Sequence, residues 1–151
     1  MDKKELAKVL EQHRLWWESR GKEGEKAYFN NIDLRWANLR GANLREINFN
    51  RANLIRADLS KADLGEAYLN KVDLYKANLR GANLWGADFE KSNLQNANLS
   101  GANLGAANFK GADLRGADLQ VVSASECWIN DAKFSSKTDK ARLMLLGAID
   151  E

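Results

Sequence analysis

The sequence predicts an all-β solenoid with a short α-helix at each end. Three observations predict it. First, residues 27–121 repeat with a period of five, nineteen times, without insertion or deletion. Self-similarity at a short fixed period means stacked structural units rather than an ordinary globule. Second, every repeat carries two apolar positions two residues apart. Let i be the central residue. It is Leu or Phe from Phe29 through Leu119, and i−2 is Ala in fifteen repeats, with Ile32, Ile47, Val72 and Ser92 as the exceptions. Third, Phe29, Phe49, Phe89 and Phe109 differ by multiples of twenty, and Leu69 fills the missing place. Four sides of five residues make a square coil and put those rings in one stacked column.

A helix does not fit the repeats, because 3.6 residues per turn scatters period-five positions around the axis. In an extended segment, i−2 and i point to the same side and i−1 points away. One turn per repeat then keeps every i−2 and i facing inward. With coils stacked at about 4.8 Å, nineteen repeats give about five coils and a rod of roughly 23 Å.

The ends read differently. Asp2 is an N-cap with Glu5 three residues on. Leu6, Val9, Leu10, His13 and Trp17 follow at helical spacing, so a helix is expected from Lys3 to Arg20 with Gly21 at C′. Gly24 lies in a charged linker. An open solenoid end needs a cover, and this helix is expected to supply it. His13, the only histidine, falls on the apolar face and reads as a packing residue. After Leu119 the pattern decays. Val122-Ser123-Ala124, Cys127-Trp128-Ile129 and Ala132-Lys133-Phe134 keep the spacing, with Cys127 at a buried i−2 slot and Ile129 continuing the Phe column. Ser136 and Asp139 start a last helix expected to carry Leu143, Leu145, Leu146 and Ile149. The expected division is a helical cap and linker at 1–26, the repeat rod at 27–136 and a C-terminal helix at 137–151.

Composition excludes several classes. Lys and Arg number 23 against 21 Asp and Glu, a net charge of +2, so no global field draws nucleic acid or membrane. Cys127 is alone, and no intramolecular disulfide can form. No apolar run follows Met1-Asp2-Lys3-Lys4, and no segment reaches the roughly 20 apolar residues of a spanning helix. The chain therefore reads as cytoplasmic. Proline is absent, which suits a ladder that uses nearly every backbone donor.

Position i−1 is Asn in ten repeats, Asp in seven and Tyr in two. Asn and Asp both hydrogen-bond nearby backbone at turns, whereas a general acid or base cannot be exchanged for an amide. The carboxylates, including the successive pairs Asp58 with Asp63 and Asp113 with Asp118, therefore read as structural. No metal-ligand spacing, phosphate loop or nucleophile set is present, so no catalytic residue, cofactor or metal is expected.

Ala-Asn-Leu-Arg-Gly at 37–41 and again at 77–81, with Ala-Asp-Leu-Arg-Gly at 112–116, resembles the pentapeptide-repeat family over about two thirds of the chain. The resemblance implies a right-handed quadrilateral β-helix. It also implies one functional alternative, since some quinolone-resistance members resemble duplex DNA and bind DNA gyrase. Mimicry needs a row of negative charge. Here i+1 and i+2 carry twelve Lys or Arg and three acids, Glu46, Glu66 and Glu90.

Sorting the outward residues at a twenty-residue period gathers Arg35, Trp36, Ile55, Arg56, Tyr75, Lys76 and Arg115 on one face. Exposed aromatics among cations mark an interface. The expected function is a non-catalytic scaffold that binds another protein through this face. Stacking on nucleic-acid bases is possible but disfavoured by the near-neutral charge. Tyr28, Tyr68 and Trp128 share a second, sparser face. The chain is expected to be a monomer, or a dimer through its C-terminal helix.

Overall fold

The computed structural model describes residues 1–151, the side chain of Thr138 excepted. Helix α1 spans Lys3–Glu18 and helix α2 spans Lys137–Leu145. Between them the chain winds as a four-sided coil. Parallel bridges join each i−1 residue to the residue twenty further on, from Tyr28 with Asn48 to Asp113 with Lys133. The Phe column forms as the spacing requires. Phe29 stacks on Phe49 at 5.4 Å between centroids and Phe89 on Phe109 at 4.8 Å, with Leu69 buried between the pairs.

Why five residues suffice for one side is visible in the backbone donors, which all find partners in a regular repeat. For the repeat around Leu54, the i−2 N–H of Ala52 donates to the preceding central carbonyl, Phe49. The Asn53 N–H donates to Ile32 in the coil before, and the Leu54 and Arg56 N–H groups donate to Asp73 and Tyr75 in the coil after. That leaves the i+1 N–H of Ile55, which the Asn53 side chain accepts at 3.1 Å. All seventeen Asn and Asp at i−1 make this contact. Their structural role is thus direct: each satisfies the one donor that neither ladder nor turn reaches. Where Tyr68 stands at i−1 and lacks the short side-chain oxygen of Asn or Asp, the Asn70 N–H donates to the Asn50 side chain one coil back, at 2.9 Å.

The turn itself explains position i+2. An i to i+3 bond with the third residue at positive φ is a type II turn, which favours glycine there. Every i+2 residue from Asn31 to Gly116 has positive φ, most of them not glycine. Val121 does not, because a β-branched side chain in that region is a severe outlier. The coil bulges by one residue as a result. The Val122 N–H takes the Ala102 carbonyl, and Val122, expected at an inward i−2 slot, is 66% exposed. Ala124, Cys127 and Ile129 return to the interior. Burial pushes the Cys127 thiol up to about 12, which leaves it an inert apolar filler.

Helix α1 lies over the first coil. Asp2 caps it by accepting from Glu5 N–H at 2.8 Å. Its C-terminus differs from expectation: the helix stops at Glu18, Arg20 takes positive φ as C′, and Gly21 is C″. Arg20 N–H donates to Trp17 and Gly21 N–H to Trp16, the paired bonds of a Schellman motif. Leu6 and His13 are the buried residues of α1. His13 ties the helix to the rod at two points. Its Nδ1 accepts from Ala27 N–H at 3.2 Å, which fixes the proton on Nε2, and Nε2–H donates to the Arg45 carbonyl at 3.0 Å. Gly24 closes the linker at φ +71°, where an added Cβ would stand 2.2 Å from the Gln12 carbonyl oxygen. No other residue fits that approach.

Burial lowers the His13 pKa from 6.5. A histidine kept neutral in the fold contributes stability that is complete above its unfolded value. That stability is lost as pH falls through the lowered folded value. Protonation would also set a second N–H against the Ala27 donor. Between pH 7.5 and 5, the thermal midpoint of the native protein should therefore fall more than that of His13→Gln. Parallel pH profiles of the two midpoints would remove His13 as the cause.

The C-terminus needs a second correction. Ser136 caps α2 by accepting from Asp139 N–H at 3.2 Å, and Leu143 is buried. Ile149 is not on the helix. Gly147 turns at positive φ, and the tail returns extended, with Ile149 bridging Trp128 in parallel as one more layer. Leu145 is left 88% exposed.

Candidate binding face

The period of twenty places the seven singled-out residues on one flat, the Leu34 face. Its inward column is Leu34, Leu54, Leu74, Leu94 and Leu114, each buried. Type II turns carry Arg35, Trp36, Ile55, Arg56, Tyr75, Lys76 and Arg115 outward at one corner. Trp36 is 65% exposed, while Ile55 and Tyr75 are half-buried. The cations divide into two kinds. Arg35 and Arg115 fold back onto the i−1 carboxylates of their own repeats, Asp33 at 2.7 Å and Asp113 at 2.5 Å. Those guanidinium groups hold both carboxyls below the usual range, and the carboxylates raise both arginines in turn. Arg56 instead lies over the Trp36 ring at 4.6 Å, and Lys76 stands 5.2 Å from the Tyr75 ring centroid. Trp36, Ile55 and Tyr75 thus stand at one corner in three successive coils, with a cation resting on each aromatic ring.

Exposure alone does not select this face. Tyr28 is 66% exposed, and Tyr68 and Trp128 are also open. On that face, however, Tyr28 and Tyr68 are forty residues apart, with Asn48 in the coil between. Trp85, on the Leu44 face, was not singled out from the sequence and is 48% exposed. It lies across Gly105, whose missing side chain makes room for the ring: a Cβ there would sit 3.0 Å from Trp85 Cδ1. Sorting aromatics by face alone would have found it, although its i+1 neighbours one coil either side, Gly65 and Gly105, carry no side chain to raise the signal.

The i−1 carboxylates have a further regularity. No Asp stands directly over another Asp on any face; on the Leu34 face the column alternates as Asp33, Asn53, Asp73, Asn93, Asp113. Asn93 donates to Asp73, Asn78 to Asp58 and Asn108 to Asp88 at 3.1 Å or less. Stacked carboxylates one coil step apart would repel, and the amide between them supplies donors instead. The one shifted aspartate off the Leu34 face moves the same way: the Ser60 side chain holds Asp58 low. A general acid needs the opposite shift. Among the described residues no three His, Cys, Asp or Glu converge to hold a metal, and no helix is long and apolar enough to cross a membrane.

A stacked coil of pentapeptides defines a class. The model of the family described as pentapeptide repeats matches residues 27–65, 57–96 and 92–135, and this chain belongs to that family. Its fold is the right-handed quadrilateral β-helix. The crystal structure of Rfr23, a pentapeptide repeat protein from the cyanobacterium Cyanothece 51142, is 34% identical, covers 68% of this chain and 67% of its own, and superposes with a TM-score of 0.59. QnrB1, a plasmid-mediated fluoroquinolone resistance protein, is 20% identical over 84% of this chain and 72% of its own with a TM-score of 0.52, a likeness of fold alone. The pentapeptide repeat protein alr5209 from Nostoc Pcc 7120 is 26% identical over 95% of each chain, with a TM-score of 0.49. No curated protein matches the chain.

Proposed function

We propose that this protein is a non-catalytic, cytoplasmic interaction scaffold that holds another protein on the Leu34 face. One observation carries the reading: Trp36, Ile55 and Tyr75 stand at one corner in three successive coils, and neighbouring cations are already oriented over both rings. Aromatic anchors flanked by charge are what a protein interface concentrates. In this reading residues 27–136 form a rod of about five coils. Residues 1–26 and 137–151 serve as its two ends, and any dimerisation falls to α2, where Leu145 is exposed. The gyrase-directed alternative is disfavoured, because a DNA mimic requires a negative row and the corners here are basic. Hydroxyl-radical footprinting with a partner captured from the native lysate tests the reading. Trp36 and Tyr75 should be protected while Tyr28, Trp85 and Trp128 stay reactive. Protection confined to Trp85 or Trp128 would move the site to another face.

A further inference from the structure

We infer that the Leu34 face is shaped to seat an acidic amphipathic helix of a partner protein, laid along the rod between two rails of cations. The inference rests on the binding role proposed for that face and adds a partner chemistry and a second edge. One rail is Arg56 and Lys76, on the corner where the face ends. The other is Arg51, Lys71 and Lys91, on the corner where it begins. The second rail belongs to the repeats of the Phe29 column, yet it borders this flat, because Arg51 immediately precedes Ala52.

The rails share one position in the turn. All five residues occupy i+2 at φ between +55° and +59°. Glycine holds the same slot at 41, 81, 86, 101, 111 and 116, where positive φ is free of strain. The same conformation holds Asn31, Trp36, Glu46, Glu66, Asn96 and Ala106, so it is charge that sets the rails apart. The other two corners set the contrast. One carries Gly41, Lys61, Gly81 and Gly101, and the other Glu46, Glu66, Gly86 and Ala106. At i+2, only the two corners bordering the Leu34 face place cations in consecutive coils.

The rails are also available. Among the described residues, Arg51, Arg56, Lys71 and Lys76 make no ion pair, and Lys91 pairs only with adjacent Glu90. Between the rails runs the Asp–Asn column, in which Arg35 and Arg115 pair with the end carboxylates while the Asp73 carboxylate has no ion-pair partner among the described residues. A phosphate backbone laid down this centre would meet that charge. A helix with an apolar stripe would meet Ile55 and Tyr75 beside that column and direct its carboxylates outward to the rails. The dimensions agree. A flat of three residues is about 10 Å across, close to a helix of about 10–12 Å. The coil step of about 4.8 Å and the helical pitch of about 5.4 Å drift apart by only about 2 Å over three coils.

The probe is a labelled synthetic peptide of about twenty residues, with a leucine stripe flanked on both sides by glutamate, read by fluorescence anisotropy. A version with lysine for glutamate and a labelled thymidine oligonucleotide are the comparisons. The protein variants are Arg51→Glu with Lys71→Glu, and Lys61→Glu on a corner away from the face. Glutamate already occupies i+2 at Glu46 and Glu66, so the turn accepts it, and circular dichroism confirms each variant folded. The acidic peptide should bind and the lysine version should not. The double variant should weaken binding by about tenfold or more, and Lys61→Glu by less than about twofold. No binding of the acidic peptide, a tighter oligonucleotide, or an equal loss from Lys61→Glu would each overturn the assignment. Such a failure is distinct from failure of the face itself, which the footprint of Trp36 with a native partner reads independently.

Discussion

Ala82→Leu is expected to destabilise the rod by about 1–3 kcal/mol or more, lowering the thermal midpoint by roughly 4–10 °C. Ala82 is buried at i−2, its N–H bonded to Leu79 and its carbonyl accepting from Asn103. The backbone around it is thus tied to its own turn and to the next coil, and it cannot yield. The four i−2 slots of one coil share one interior layer. Each layer holds at most one residue other than Ala: Ile32 in the first, Ile47 in the second, Val72 in the third and Ser92 in the fourth. All are inward; Ile47 and Val72 are fully enclosed, and Ser92 satisfies its hydroxyl on the Leu69 carbonyl at 2.6 Å. Ala82 shares the third layer with Val72. A leucine would be the second enlargement of a layer that accommodates one. An unchanged midpoint would mean that i−2 does not face the core.

Deleting Met1 to Gly21 is the other large effect. The first coil has no coil beneath it, and its Asp33, Asn38 and Asn43 N–H groups make no backbone bond. Helix α1 covers that end with Leu6 and joins it through His13 to Ala27 and Arg45. Arg45 stacks on Trp17 and Lys26 on Trp16, each 4.7 Å from the ring centroid. Without α1, an apolar end with unpaired strand edges becomes a template for another chain. The truncated protein should associate progressively with concentration in light scattering, while the full chain keeps a covered end. A truncated protein that keeps the native particle size at high concentration would contradict the capping role.

The fold was legible because five-residue periodicity leaves few solutions. Two inward positions per repeat demand an extended side and a turn, and the Phe column sets four sides per coil. What escaped the sequence depends on single-residue conformations. Arg20 rather than Gly21 takes the C′ slot, because arginine was not expected at positive φ. Val122 turns outward because Val121 refuses the turn, an effect one residue removed from its cause. Ile149 suits either a helix face or a strand, and only Gly147 redirects it. The Leu34 face was legible as a column of residues, yet its chemistry was not. Spacing placed Arg35, Arg56, Lys76 and Arg115 together as like cations. The structure separates two clamped on aspartates from two resting on aromatic rings. Arg51 and Lys71 were overlooked because their repeats belong to the Phe29 column, although a corner residue borders two faces.

The central claim is that the Leu34 face carries the binding of this protein. Its most direct test is the affinity of the captured partner for Trp36→Ser, Tyr75→Ser and Lys76→Glu combined, in a protein with native circular dichroism. All three side chains point away from the core, so the fold should persist. The strip loses both aromatic anchors and gains a repulsive charge, and the dissociation constant should rise by about a hundredfold or more. Undiminished affinity of the folded triple variant would contradict the claim.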